Sequence, residues 1–187
     1  PLAPLEVLPT AVERMDRLGA ELGIENLYVK RDDSSGRAYG GNKVRKLEFL
    51  LGRALADDRK TVLTFGGAGS NHALATSIYA KQVGLRSVSI LLPQPKAYSV
   101  RHNLLMGHHA GATLCYYTGP ARATVGTFLQ RQRARLRDGA YPAIIPPGGS
   151  SALGALGFVN AALELKAQVD AGEMPEPDVL YAASGTM

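Results

Sequence analysis

Thr61-Val62-Leu63-Thr64-Phe65-Gly66-Gly67-Ala68-Gly69-Ser70-Asn71-His72 (TVLTFGGAGSNH) sets a short β-branched and apolar run against a glycine-rich turn that closes on hydroxyl and amide residues. The first five residues read as a buried strand, and the helical spacing that resumes at Ser70 makes the stretch a strand-turn-helix unit. The same alternation recurs along the chain. Further strands are expected over 26–30, 87–92, 113–117, 143–145 and 179–182, with helices near 43–57, 70–83, 98–109, 121–138 and 150–171. Short strands alternating with longer helices predict an α/β protein built on an open, mostly parallel sheet.

Ligands of such sheets sit outside the carboxyl ends of the strands, so the turns that follow strands are the places to search. Three stand out: Gly66 to His72, then Pro146-Pro147-Gly148-Gly149-Ser150-Ser151, then Ala183-Ser184-Gly185-Thr186. Each puts glycine beside hydroxyl residues at a helix start, where backbone N–H groups and the helix dipole face an anion. Taken singly, each also fits a serine N-cap after a tight turn. Neither GxxxxGK[ST] nor a GxGxxG with a following acidic residue occurs, which argues against a nucleoside triphosphatase and a dinucleotide enzyme.

The totals narrow the class further. The chain has 187 residues, 45% hydrophobic and 20% charged, enough for one sizeable core or two small ones. With no apolar run of membrane-spanning length and no signal-peptide pattern, a soluble cytoplasmic protein is expected, with no membrane partner. The single cysteine, Cys115, excludes an internal disulfide and a cysteine-based zinc site, and its apolar run predicts a buried, inert thiol. No metal is expected. The net charge of +5 concentrates in Arg131, Arg133, Arg135 and Arg137, which share no narrow helix face and lack interleaved aromatics. They read as a solvated helix surface, not a nucleic-acid patch. The final strand runs into its turn at Met187 without a covering helix, which predicts that the chain is part of a longer polypeptide.

Gly40-Gly41-Asn42-Lys43-Val44-Arg45-Lys46-Leu47-Glu48 opens the first long helix. With Leu47 as reference and about 100° per residue, Val44, Leu50, Leu51, Ala54 and Leu55 fall within about 80° of it and define the buried arc. Lys43 falls at roughly −40°, inside that arc, whereas Arg45 lies near the opposite side and Lys46 and Arg53 on the border. Of these four cations only Lys43 is expected to point inward. Asn42 as N-cap would set it at the positive end of the helix dipole, and burial adds to that, so both effects favour the neutral amine. A neutral amine is the nucleophile that forms a Schiff base, and Gly40 and Gly41 leave room for a flat ligand. An aldehyde for the amine and a phosphate for the glycine turns together suggest pyridoxal 5′-phosphate.

GGNKVRKLEFL, with the upstream Tyr28-Val29-Lys30-Arg31-Asp32-Asp33, the later GGAGSNHALA and PPGGSSALGALGF, resembles the 1-aminocyclopropane-1-carboxylate deaminase and D-cysteine desulfhydrase family. These are pyridoxal-phosphate enzymes of the two-domain tryptophan-synthase-β-like fold, fold type II, and the likeness runs in order over essentially the whole chain. The resemblance implies that Lys43 carries the cofactor as a Schiff base and that Asn71 hydrogen-bonds the pyridoxal ring oxygen. Ser70 would sit by the substrate α-carbon or carboxylate, as nucleophile or proton relay. His72 gives the SNH form of the motif, closer to the desulfhydrases than to deaminases carrying SNQ, and would join Ser70 and Asn71 in substrate binding. Ser184, Gly185 and Thr186 would begin the phosphate cradle.

The resemblance also divides the chain. Residues 44–145 would form a smaller α/β domain, and residues 1–43 with 146–187 a larger, incomplete cofactor-binding domain. A homodimer acting on a small amino acid is implied, by deamination or β-elimination: D-cysteine to pyruvate, sulfide and ammonia, or opening of the cyclopropane amino acid. Another fold-type-II replacement or elimination reaction, and an inert cofactor-binding fragment acting by association, remain as alternatives.

Overall fold

The computed structural model describes residues 2–5 and 8–183. An N-terminal hairpin-like pair comes first. Strand β1 (Val12–Arg14) runs antiparallel to β2 (Tyr28–Lys30), Val12 opposite Lys30, with the short helix α1 (Asp16–Leu22) between them. This pair lies apart from the main sheet.

Next come α2 (Lys43–Ala56), β3 (Thr61–Gly67), α3 (Asn71–Gln82), β4 (Arg86–Leu92), α4 (Tyr98–His109), β5 (Thr113–Tyr116), α5 (Pro120–Asp138), β6 (Ala143–Ile145) and α6 (Ala152–Asp170). The four later strands form one parallel sheet in the order β5-β4-β3-β6. The chain steps outward from β3 through β4 to β5, then returns to place β6 on the other side of β3. That reversal makes a topological switch point at the carboxyl ends of β3 and β6, where parallel sheets open a crevice.

Both sheet faces are covered, as a parallel sheet requires. Val62 joins Leu47, Leu51, Tyr79 and Ile145 in the core under α2 and α3, while its neighbour Leu63 joins Val88, Ile90 and Ala123 on the face under α5. Successive strand residues thus serve opposite cores. Each fully buried Leu or Val here contributes roughly 2 kcal/mol relative to exposure.

Two expectations need correction. Val179–Ala182 is not a strand: Val179, Leu180 and Tyr181 are 62%, 70% and 92% exposed, and no described strand lies beside them to take their hydrogen bonds. In α2, Arg45 is fully buried although the one-face reading turned it to solvent, and Leu55, placed in the buried arc, is exposed. The reason is α6. It packs on the side of α2 opposite the sheet, so α2 has two buried faces, and a Cβ on Gly157 of α6 would strike the Arg45 carbonyl. The arginines at 131, 133, 135 and 137 are exposed on α5, and Arg131 and Arg135 lie 5.2 and 5.0 Å from the Tyr141 ring. Cys115 is half-buried, and burial raises its thiol pKa. Among the described residues no helix is long and apolar enough to cross a membrane, and no cluster of His, Cys, Asp and Glu could hold a metal.

Candidate active site

Lys43 is the first residue of α2, and the turn before it fixes its place. Gly41 adopts φ +104°, a backbone closed to most side chains, and a Cβ on Gly40 would collide with the Asp33 carbonyl. The Gly41 N–H donates to the Asp32 carbonyl at 2.9 Å, and Ser35 Oγ donates to the Gly41 carbonyl at 2.9 Å. Asn42 does not cap the helix through its side chain as expected. Its φ and ψ, −58° and −16°, are already helical, so its amide cannot fold back onto the first-turn N–H groups. The Lys43 side chain is half-buried, and no ion pair or hydrogen bond joins its amine to a described residue.

Two residues on, Arg45 is fully buried at the centre of a partly buried ion cluster. Arg45 Nε and Nη2 donate to Asp32 Oδ2 and Oδ1 at 2.9 and 2.7 Å, and Nη1 donates to Glu164 Oε2 of α6 at 3.2 Å. Lys30 Nζ donates to Glu164 Oε1, to Gln168 Oε1 at 2.7 Å and to the Thr10 carbonyl at 2.9 Å. Two cations therefore meet two carboxylates, with Thr10 and Gln168 taking up further hydrogen bonds. Burial alone would raise the Glu164 carboxyl, but its bonds from Arg45, Lys30 and the Thr10 N–H outweigh it and hold the pKa at about 2. The lysine and aspartate of YVKRDD, the arginine of GGNKVRKLE and the carboxylate of α6 are thus one structural unit.

Ser70 is the N-cap of α3: its Oγ accepts from the Ala73 N–H at 3.2 Å, which leaves its own O–H free to donate. Asn71 is exposed, and its Oδ1 accepts from Asn103 Nδ2 of α4 at 2.7 Å. The Gly69 N–H donates to Gln94 Oε1 at 2.9 Å. His72 points the other way. Its ring is 4% exposed and sits within hydrogen-bonding distance of Thr64 Oγ1, 3.0 Å from Nε2. Burial first, then the charges of Lys43 and Lys46, push its pKa down to about 4, so the ring is neutral at physiological pH. The Pro146 carbonyl favours the proton weakly, yet no acceptor stands in hydrogen-bonding geometry to Nδ1.

Packing places the candidates relative to one another: the turn at Pro147–Gly149 lies against α2, α3 and β3, and a Cβ on Gly149 would meet the Lys46 and Leu50 side chains. Lys46 Nζ donates to the Gly148 carbonyl at 3.3 Å and lies 5.5 Å from the Phe158 ring; burial and the Lys43 charge lower its pKa. The β3-α3 turn and the β6-α6 turn therefore converge on the first two turns of α2. In the second of these, Ser151 Oγ accepts from the Gly154 N–H at 3.1 Å and caps α6. Ser184, Gly185 and Thr186 lie outside the described residues. A cleft of about 440 Å³ between Leu50, Arg53, Arg131, Tyr141 and Ile144 flanks the carboxyl half of α2 and contains none of the candidates.

Asn103, Gln94 and Glu164 lie in no sequence motif, and the contact that joins Arg45 to Lys30 and Asp32 was not read from the motifs that hold them. For Asn103 one signal exists, an asparagine inside a helical run, where its propensity is poor and another reason for its presence should be sought.

A primary amine and an asparagine amide nitrogen that no described residue pairs with, and glycine turns at the switch point of a parallel α/β sheet, suit an aldehyde-bearing aromatic ligand. The chain belongs to the pyridoxal-phosphate dependent enzyme family, whose model matches residues 4–187. It is 39% identical over 161 residues to a Pyrococcus abyssi protein whose name gives 1-aminocyclopropane-1-carboxylate deaminase as a provisional activity, covering 86% of this chain and 48% of that one. It is 38% identical over 169 residues to D-cysteine desulfhydrase of Salmonella paratyphi B, covering 87% and 50%. The crystal structure of an ACC deaminase homologue superimposes with TM-score 0.76 at 34% identity, over 90% of this chain and 51% of that one. Maize serine racemase, at 22% identity and TM-score 0.61, shares the fold. The chain spans about half the length of the curated relatives it matches.

Proposed function

We propose that the chain is the lysine-bearing half of a cytoplasmic, homodimeric pyridoxal-phosphate enzyme that deaminates a small amino acid or eliminates its β-substituent, with D-cysteine or 1-aminocyclopropane-1-carboxylate as substrate. The observation that carries this is Lys43: an amine paired with no described residue, at a helix start pinned by Gly41 and Asp32, beside the turn that presents Ser70 and Asn71. Bound pyridoxal phosphate supplies an electron sink for the pair left at the substrate α-carbon. Lys43 would hold the aldehyde and would serve as the base that moves the proton at the α-carbon. Asn71 would donate to the ring oxygen. Ser70, whose O–H is free, binds the substrate carboxylate or relays a proton. Ser184, Gly185 and Thr186 would take the phosphate. His72, neutral and buried against Thr64, acts on the substrate only through the seating of its neighbours Ser70 and Asn71.

On this reading residues 44–145 form the smaller domain, which carries the whole parallel sheet, and residues 1–43 with 146–187 belong to the larger. Support comes from α6, where Leu156, Val159 and Leu163 stand exposed on the side away from α2, as expected of a helix with a further layer to cover it.

The test is keto-acid release from D-cysteine, L-cysteine, D-serine and 1-aminocyclopropane-1-carboxylate by the purified, cofactor-loaded protein. Lys43→Ala is expected to lose the visible cofactor band and at least about 10²–10⁴-fold in rate. Wild-type turnover by Lys43→Ala would overturn the assignment.

A further inference from the structure

Asn103 lies in the second turn of α4, 9% exposed, with no part in any motif of the sequence. Its Nδ2 stands 2.8 Å from the Gly69 carbonyl and 2.7 Å from an amide atom of Asn71. A backbone carbonyl only accepts, so the nitrogen of Asn103, not its oxygen, must face Gly69. The second hydrogen on that nitrogen then points at Asn71, which has to present its oxygen. The Asn71 nitrogen is left on the open side, where no described residue accepts from it. The other oxygen of the chain of contacts, Asn103 Oδ1, faces His102 Nδ1 at 3.4 Å.

We infer that Asn103 is a positioning residue for the cofactor: its amide, oriented by the Gly69 carbonyl, fixes the Asn71 amide with its N–H donors toward the ligand and its oxygen away. A freely turning asparagine could offer an oxygen to an oxyanion as readily as a nitrogen. Here the backbone removes that choice before any ligand arrives, and the orientation costs nothing on binding. The close seating of α4 on the turn keeps the relay in place, since a Cβ on Gly69 would meet Val100 Cγ2 at 2.7 Å. The inference rests on the functional reading above only in what the outward donor binds; the orientation itself stands on the protein's own contacts.

Two readouts separate these parts. In the cofactor-free protein, side-chain amide exchange followed by NMR is expected to show the Asn103 amide protons protected and those of Asn71 exchanging rapidly. Asn103→Asp, which offers only acceptors, should turn Asn71 over and protect one of its protons. Protected Asn71 protons in the wild type, or no change in Asn103→Asp, overturns the inference. In the loaded protein, loss of the outward donor leaves more charge on the ring oxygen, which then keeps its neighbouring proton to higher pH. Asn103→Asp is expected to raise the titration of the visible band by about one pH unit and to weaken cofactor binding roughly ten- to a hundredfold, the worth of one hydrogen bond to a charged oxygen. In an Asn71→Ala background it should add nothing. An additive shift would mean that Asn103 acts by another route and also overturns the inference. Should Asn103→Asp fail to fold, Asn103→Ser, whose single O–H cannot serve both partners, is expected to move the band in the same direction, and an unmoved band counts against it. A wild-type protein that binds no cofactor refutes the functional reading, and amide exchange alone then decides the role of Asn103.

Discussion

Arg45 and Asp32 meet in a two-pronged contact, Nε to Oδ2 at 2.9 Å and Nη2 to Oδ1 at 2.7 Å, although one lies in α2 and the other opens the single 3-10 turn after β2. The same Asp32 accepts the Gly41 N–H on its carbonyl oxygen, so the pair also sets the turn that delivers Lys43. Arg45→Ala removes one partner and leaves Asp32 and Glu164 facing each other without it. We expect a loss of about 3–5 kcal/mol in stability, measured by urea unfolding. Arg45→Lys should recover little of it, because an ammonium cannot make the planar fork.

His72 makes the fold sensitive to mild acid. Its folded pKa, about 4, lies below the ordinary value of 6.5, so as pH falls the unfolded chain takes up the proton first. The stabilisation is complete above about pH 6.5 and is lost progressively toward pH 4, amounting to at most about 3 kcal/mol. Unfolding curves at pH 7.5 and 4.5 should show this difference in the wild type. His72→Gln, which can still reach Thr64 but does not titrate, should show much less.

Glu164 governs a second, more acidic window. With its carboxyl held at about 2 against an ordinary 4.5, the ion cluster keeps its full strength above about pH 4.5 and weakens only between there and pH 2. Glu164→Gln should therefore lower the melting temperature at neutral pH and flatten its dependence in that range, read by circular dichroism. Equal slopes for the two proteins would contradict the assignment.

Gly157→Ala tests the contact of α6 with α2. The new Cβ meets the backbone carbonyl of Arg45, which cannot rotate aside, so the helices must separate. A cost of about 1–3 kcal/mol is expected, despite the better helix propensity of alanine, and Gly107→Ala inside α4, whose Cβ would meet Leu114 only at an ordinary contact distance of 3.5 Å, serves as the comparison in thermal melts.

Much of the sheet could be read from residues in order. The runs of 61–65, 87–92 and 143–145 are β-branched or apolar and bounded by Gly or Pro, and each forms a strand at that place. The β1 stretch, Val12-Glu13-Arg14, gives no such signal, because its pairing with Tyr28–Lys30 comes from the partner strand and not from burial. Val179 to Ala182 errs the opposite way: it carries strand composition, but a strand exists only beside another. Arg45 escaped because helix periodicity assumes one buried face, and the second face of α2 is created by α6, more than a hundred residues later. The helix starts that carry Lys43, Ser70 and Asn71 were readable, the inward turn of Lys43 alone among its neighbouring cations was not, and Asn103 depends on a contact between helices that no local spacing encodes. The N-cap expectation split along the same line. Ser70 and Ser151 cap through their hydroxyls, while Asn42 is drawn into the helix itself by the Gly41 turn.

The order β5-β4-β3-β6 leaves the two shortest strands outermost, four residues in β5 and three in β6, flanking inner strands of seven residues each. A strand rim is a template on which a second chain can add its own hydrogen bonds, and its grip grows with the length of ladder it offers. Three or four residues offer few such rungs. The arrangement thus keeps the long, apolar ladders of β3 and β4 out of reach of neighbouring molecules and gives the sheet a built-in defence against fibrous self-association.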